Sequence, residues 1–533
     1  MRNSSPTGSF VRQAAILASA SIIVRLLGFM YRIPLTHLIG DVGNAYYIAA
    51  YRVYTIAIVA TSGALIATIS RLTSERIANG EYRNAHELFK TAMGFAFVFG
   101  LVTAVLMFMF SCTLANALNL PGSGLSIKAL APAVMFVSVL AVIRGYFQGM
   151  KTAKPTAISQ VLEQIAKIII SVFLAFLFFN PVQIEYSAAG AAMGTSFSVM
   201  IAVIVMLVIY LKRRDKLLSR VASDNTSYKE NKSDQIVRLV YTSSPIVLSS
   251  FVLIIGGFID LVMAGNLIPM SGVFSQSDVR ILIGQFEGKF ILLTTLPISL
   301  SMVLSAAVLP EITSSKAIDD NVSVKQKANM ALRFSLILAF PSTVGISVLA
   351  YPILALLFPA HPDGGTLLTI GGVSIVFMSI VHVTTGVLQG IGRVTVPLIG
   401  AIIALVVKIA INFLLMPIPW LNINGAVIST IVYAIVAAFI NIFFIRRYAG
   451  FSFDIRHSVV KPLLASTSMG LLCFILYNAF TVFIPSAIST VLTIAIGTIA
   501  YLAMLILLKG FNTIDLDVLP IPRQLKKIIN SRL

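Results

Sequence analysis

An all-α polytopic membrane protein is what this sequence predicts, and three observations carry the prediction. Apolar runs of about 20 residues, the length that crosses roughly 30 Å of hydrocarbon as helix, recur from end to end of the 533 residues. Hydrophobic residues make up 58% of the chain and charged residues 11%, against about 25% in soluble domains. Connections rich and poor in Lys and Arg alternate along the chain, as repeated crossing requires. β-Barrel strands would be half as long and would alternate polar with apolar residues, which these runs do not.

Fourteen spans follow in order. The first, roughly 13–39, carries Arg25, Gly28, Arg32 and Pro34, and it is too long and too polar for a cleavable signal. The second, 45–70, sets Arg52 among Tyr46, Tyr47, Tyr51 and Tyr54. After 89–112, the fourth span (127–149) holds Arg144 near its inner end and closes on Gln148-Gly149. The fifth, 156–179, begins behind Pro155 and contains Glu163 and Lys167. The sixth, 188–211, opens on Ala189-Gly190-Ala191 and ends at the basic run Lys212 to Arg214. The seventh, 238–267, contains Asp260, and the eighth, 281–308, contains Glu287 and Lys289. Spans 330–352 and 366–390 lead to Gln389-Gly390, and the eleventh, 397–416, carries Lys408 and Asn412. Spans 424–445, 459–479 and 487–508 complete the set, ahead of a tail with Arg523, Lys526 and Lys527.

Counted from an inside N-terminus, the inner connections hold thirty of the thirty-nine Lys and Arg, and the outer edges hold Lys128 and Arg280. This predicts both termini inside, and it accounts for most of the net charge of +19. Basic residues scattered over many short loops exclude nucleic acid as the expected partner. No histidine shows metal-ligand spacing and no phosphate-cradling glycine loop is present, so neither a metal nor a nucleotide cofactor is expected. Cys112 and Cys473 give no disulfide framework and read as packing residues.

One segment recurs. Gln148-Gly149, Pro155 and Lys167 read again as Gln389-Gly390, Pro397 and Lys408, and Leu72-Thr73 is echoed by Ile312-Thr313. The repeat spans six helices, so both copies enter from the same side, and parallel repeats place substrate at their interface. The expected organisation is an N-lobe (1–211), a linker (212–237), a C-lobe (238–445) and an appended pair of helices with a basic tail (446–533).

Seven basic residues lie at hydrocarbon depth: Arg25, Arg32, Arg52, Arg144, Lys167, Lys289 and Lys408. Each costs about 2.5–3.5 kcal/mol there, so such residues mark a polar pathway. Only Glu163, Asp260 and Glu287 oppose them, an excess of four positive charges that suits an anion. Arg25 and Arg32, two helical turns apart, share one face and, with Arg52 and Lys289, are the expected grip for phosphate. Glu287 is a further gating candidate. Glu163 and Lys167, four apart, read as a structural ion pair. Arg144 reads as reaching inner-leaflet phosphate. Asp260 with Lys408 and Asn412 reads as either a structural pair or a coupling switch.

Val24-Arg25-Leu26-Leu27-Gly28-Phe29, the stretch Asn44-Ala45-Tyr46-Tyr47, Ser62-Gly63 and Leu309-Pro310 resemble the MurJ-type flippases. With fourteen spans in two six-helix lobes plus a pair, the whole chain is similar to the multidrug/oligosaccharidyl-lipid/polysaccharide exporter superfamily, in its MurJ and stage V sporulation protein B-like branch. The resemblance implies a monomeric transporter rather than an enzyme, exporting lipid II by alternating access across the plasma membrane of a Gram-positive prokaryote. It implies a role in peptidoglycan synthesis and cell shape. Arg25 matches a cavity arginine of the family directly. The family's second arginine falls where this chain has Tyr31, so Arg32 matches approximately, as do Arg52 and Lys289. The family's last two helices form a groove for a polyprenyl tail. Some members bind Na+ between helices 7 and 11, where Lys408 would substitute for the cation here. That leaves the membrane potential as the expected driving force. The alternatives are another undecaprenyl-linked precursor, a cation-coupled multidrug exporter, and a polytopic glycosyltransferase.

Overall fold

The computed structural model describes residues 6–224, 230–450 and 455–510, and every element among them is helical. The basic tail beyond residue 510 lies outside the described residues. In chain order the helices are α1 (Pro6–Thr61), α2 (Leu65–Ala78), α3 (Tyr82–Met109), α4 (Ser111–Ala117), α5 (Ser123–Gly149), α6 (Lys154–Leu177), α7 (Ile184–Ala222) and α8 (Lys232–Leu267). Then come α9 (Gln276–Gln285), a π-turn at Phe286–Phe290, α10 (Ile291–Ala317), α11 (Asn321–Val348), α12 (Ala350–Leu357) and α13 (Gly365–Gly371). The last are α14 (Ser374–Gly390), α15 (Thr395–Leu415), α16 (Asn424–Ala449), α17 (Lys461–Phe480) and α18 (Ser486–Leu507).

Twelve stretches among the described residues are long and apolar enough to cross a membrane, thirteen counting α13 and α14, bent by 48°, as one span. The first two expected spans run on as a single stretch, Ser19–Ala78, of 60 residues. Its break is Gly40, whose φ of 63° and ψ of −172° no helix contains and only glycine adopts without strain.

Helix α3 illustrates how the apolar sequence is used. It buries the small side chains Ala92, Ala96, Gly100 and Ala104 and turns Phe97, Val98, Leu101, Val102 and Val105 outward. Small residues let helix backbones approach where no hydrophobic drive exists in lipid, and large ones meet the acyl chains. Gly100 accordingly leaves no room for a Cβ beside Ser138 of α5.

The chain forms two compact units, Met1–Asn266 and Leu267–Leu533. The boundary differs from the expected linker at 212–237. Helix α7 stays helical to Ala222, α8 begins at Lys232, and α8 is tied to the first unit. Glu230 accepts from Arg76 Nε at 3.1 Å, Glu75 accepts from Arg238 at 2.7 Å, and the Asn119 amide donates to Gly265 O at 3.1 Å. In the second unit α17 and α18 dock on α11 through Ile337, Met469, Cys473 and Tyr501, and the Tyr501 hydroxyl donates to Ile337 O at 2.7 Å.

The internal duplication is structural. Helices α5 and α14 both end in Gln-Gly, and the turns that follow repeat bond for bond. Lys151 N donates to Gln148 O (2.9 Å) and Thr152 N to Phe147 O (3.0 Å); Gly392 N donates to Gln389 O (3.0 Å) and Arg393 N to Leu388 O (2.8 Å). The residue at the left-handed position is Lys151 (φ 57°) in one copy and Gly392 (φ 81°) in the other. Gly149 packs against Thr73 of α2 and Gly390 against Ile312 of α10. Further on, Gly190 meets Leu174 and Gly425 meets Leu415.

Candidate substrate site

The first unit sets Lys167 of α6 into a group of α1 tyrosines. Beyond the Gly40 break, Tyr47, Tyr51 and Tyr54 lie at i, i+4 and i+7 and therefore on one face. Tyr47 and Tyr51 stack at 6.0 Å, and Tyr51 and Tyr54 lie 5.5 Å apart. The break turns this face back toward the first half of the helix. There the hydroxyls of Tyr31 and Tyr47 meet at 2.5 Å. A polar chain bridges the same bend: Asn44 Nδ2 donates to Thr36 Oγ1 and Thr36 Oγ1 to Arg32 O, each at 2.8 Å.

Lys167 of α6 enters this tyrosine group. It is 8% exposed, with its ammonium 4.6 Å from the Tyr51 ring centre, 5.4 Å from that of Tyr31, and 3.5 Å from the Tyr51 hydroxyl. Ring faces and hydroxyl oxygens partly replace the hydration such a charge loses. Gly28 lets α1 lie close to α6, where a Cβ would stand 3.4 Å from the Gln164 amide.

The ion pair expected between Glu163 and Lys167 is corrected by this arrangement. Glu163 accepts from Arg144 of α5 at 2.8 Å, and Arg144 Nε donates to Ser159 at 2.9 Å. Arg144 is therefore buried against α6 rather than reaching a lipid phosphate. Lys167, one turn along, faces α1.

The expected grip residues of α1 differ in setting. Arg25 is exposed, Arg32 is half-buried beside Tyr31, and Arg52 is half-buried with its guanidinium on Gly257 of α8, where a Cβ would collide with it. Buried Asp260 lies one turn beyond Gly257 on the same face, in the first unit. Lys408 and Asn412 are buried in the second unit, and Lys408 stands 5.8 Å from the Tyr433 ring. Lys408 thus repeats the lysine-over-tyrosine arrangement of Lys167 at the duplicated position.

Lys289 corrects a further expectation. It is 1% exposed on the π-turn, and its ammonium donates to His361 O at 2.7 Å and Asp363 O at 3.1 Å. Two of its three protons are thereby directed to main-chain carbonyls of the connection into α13. Lys289 is a positioning residue for that connection. Its neighbour Glu287 is buried on the same π-turn. Among the described residues no three His, Cys, Asp or Glu side chains gather as metal ligands.

Seating Lys167 among these tyrosines is what sequence reasoning missed. Its signal was present in the spacing 47, 51 and 54, but the partnership with Tyr31 and Lys167 depends on the bend.

Comparisons bear on what such a site serves. The profile of the family described as "Polysaccharide biosynthesis protein" matches residues 10–316, more than half of the chain, and a MatE profile matches residues 287–414. The chain is 26% identical to the lipid II flippase MurJ of Bacillus subtilis (strain 168), over 93% of this chain and 95% of that protein. It is 24% identical to stage V sporulation protein B of the same organism, over 96% and 97%. A solved structure of a lipid II flippase MurJ in an inward closed conformation superposes with a TM-score of 0.70 at 17% identity, covering 92% of this chain and 98% of that one. An inward-facing MATE-family multidrug transporter reaches 0.64 at 16% identity, covering 80% and 98%. The fold is that of the MurJ and MATE transporters.

Proposed function

The chain belongs to the polysaccharide biosynthesis protein family, and from that premise we propose that it flips a lipid-linked anionic glycan across the plasma membrane, with lipid II as the foremost substrate. The observation that carries the reading is Lys167 of α6 held inside a group of α1 tyrosines, on the helix that also bears Arg25, Arg32 and Arg52. A pyrophosphate takes bidentate, charge-assisted bonds from guanidinium groups. The half-buried Tyr51, beside Lys167, offers a sugar a ring and a hydroxyl at low entropic cost.

A stretch of 60 residues would reach about 90 Å as one helix, so Ser19–Ala78 serves as two crossings that meet at Gly40. With α13–α14 as one span, fourteen crossings result and both termini share the inner face. Alternating access carries the head group, and the tail follows α17 and α18 in lipid. The membrane potential, worth about 2.3 kcal/mol per charge per 100 mV, acts on the excess positive charge and drives the cycle without Na+. The working form is a monomer.

Depletion of the protein tests the reading: an undecaprenyl-linked precursor accumulates on the inner face, and its identity names the substrate. Complementation with Arg25→Ala then fails. Normal export by that variant, in cells lacking other flippases, would overturn the anion grip. The MatE match favours a second reading, a cation-coupled drug exporter. It predicts drug resistance on expression and no precursor build-up on depletion.

A further inference from the structure

The duplicated Gln-Gly turns each cover a small cavity, and the two copies differ in charge. In the first unit the cavity, about 100 Å³, is lined by Tyr82, Tyr146, Met150 and Lys151 among others. In the second unit it is about 150 Å³ and is lined by Lys316, Asn321, Val324, Ile391, Arg393 and Tyr448. Met150 and Ile391 stand 241 positions apart, the same offset as the two Gln-Gly pairs, so the cavities are repeat equivalents. A volume of about 150 Å³ admits a molecule the size of benzene.

We propose that the second-unit cavity is a binding site for a phosphate group, separate from the substrate site on α1. Two cations converge on it and each is held in place. The Arg393 guanidinium lies 4.4 Å from the Tyr448 ring centre, which fixes its plane and leaves its edge to donate. Lys316 Nζ is steadied by Asp319 Oδ1 at 3.2 Å and Asn321 Oδ1 at 3.3 Å, and keeps a further proton for a ligand. Lys325 adds a third positive charge nearby, since its ammonium would stand 3.3 Å from a Cβ at Gly450. Asp319 pairs with Lys316 and offsets part of its charge, which leaves Arg393 as the fully available cation, and Asp320 is engaged in capping α11 through Ser323 N (3.0 Å) and Oγ (2.6 Å). A planar guanidinium fork beside an ammonium matches the oxygens of a phosphate monoester or diester. The first-unit copy has an identical turn and offers only Lys151, so it serves as the internal control.

The shared chemistry has two sources, the headgroup of an anionic phospholipid and a soluble phosphate. The full-length chain in nanodiscs of phosphatidylglycerol mixed with phosphatidylcholine, released into a mass spectrometer, reports retained lipid. The detergent-solubilised chain titrated with inorganic phosphate, followed by phosphorus NMR line width, reports the soluble source. The Lys316→Gln/Arg393→Gln double variant is expected to weaken whichever signal the wild type gives by about tenfold or more, while Lys151→Gln leaves it unchanged. Retention of phosphatidylglycerol without inorganic phosphate binding makes the site a lipid site, and the reverse makes it a soluble-phosphate site. Equal signals from wild type and double variant, or no signal in either arm, would overturn the proposal. Should the double variant not fold, Arg393→Gln alone decides, because Arg393 is exposed.

Discussion

The pairing of Glu163 with Arg144, in place of its helix neighbour Lys167, gives a prediction with opposite outcomes for the two arrangements. At 2.8 Å and an effective dielectric near 20, the Coulomb attraction is about 6 kcal/mol. Desolvation of both ions removes most of it. Glu163 also keeps 26% of its side chain exposed, so solvent screening lowers the remainder. A net coupling of about 1–2 kcal/mol is expected between positions 144 and 163, and under about 0.5 kcal/mol between 163 and 167. Two double-mutant cycles measure it: Arg144→Gln with Glu163→Gln, and Lys167→Met with Glu163→Gln. The readout is denaturant unfolding in detergent, followed by far-ultraviolet circular dichroism and by hydrogen exchange of peptides from the first unit. Arg144→Gln also surrenders the bond to Ser159, a term the cycle cancels because it appears in both arms. Equal coupling in the two cycles, or a larger value for 163 with 167, would refute the structural assignment and restore the i,i+4 pair.

Further predictions follow from the same contacts. Lys167→Met should leave the melting temperature within a few degrees, because an apolar chain of similar length replaces a buried charge, yet lower export in a flipping assay by tenfold or more. Lys289→Met should lower stability by about 2–3 kcal/mol by leaving two carbonyls unbonded, and limited proteolysis should then cut within 358–364. Gly149→Ala should destabilise more than Gly390→Ala, each by about 1–3 kcal/mol, because its new Cβ would stand 2.6 Å from Thr73 Cβ, against 2.9 Å from Ile312 Cγ2. Melting temperatures of the two variants in detergent check the order.

What could be read in the sequence was what depends on short spacing. Span lengths and the repeated Gln-Gly turns are local patterns; the all-helical fold and the paired turns follow them, while the first two expected spans run on as one stretch. Contacts between helices were not legible. Glu163 has Lys167 as its in-helix neighbour, but Arg144, nineteen residues earlier, competes once α5 and α6 pack. Lys289 read as a cavity charge because nothing local announces a π-turn or the two carbonyls that turn aims it at. The compact units divide after Asn266 rather than within the polar stretch 212–237, because polar composition marks solvent exposure, which a helix extending past the membrane also has.

The duplication separates scaffold from function. Where both copies agree, at the Gln-Gly turns and the glycine contacts onto α2 and α10, the shared feature serves helix packing. Where they disagree, packing cannot be the reason. Arg25, Arg32 and Arg52 belong to α1, with its break at Gly40, and Lys167 has two tyrosine rings about it where Lys408 has Tyr433. Lys316 and Arg393 line a cavity whose counterpart is lined with Tyr82 and Tyr146. Charge was therefore added to a repeated frame at two places, on α1 of the first unit and at the Gln-Gly turn of the second. A variant series that exchanges the polar residues between equivalent positions, leaving each glycine untouched, should move anion binding without moving stability.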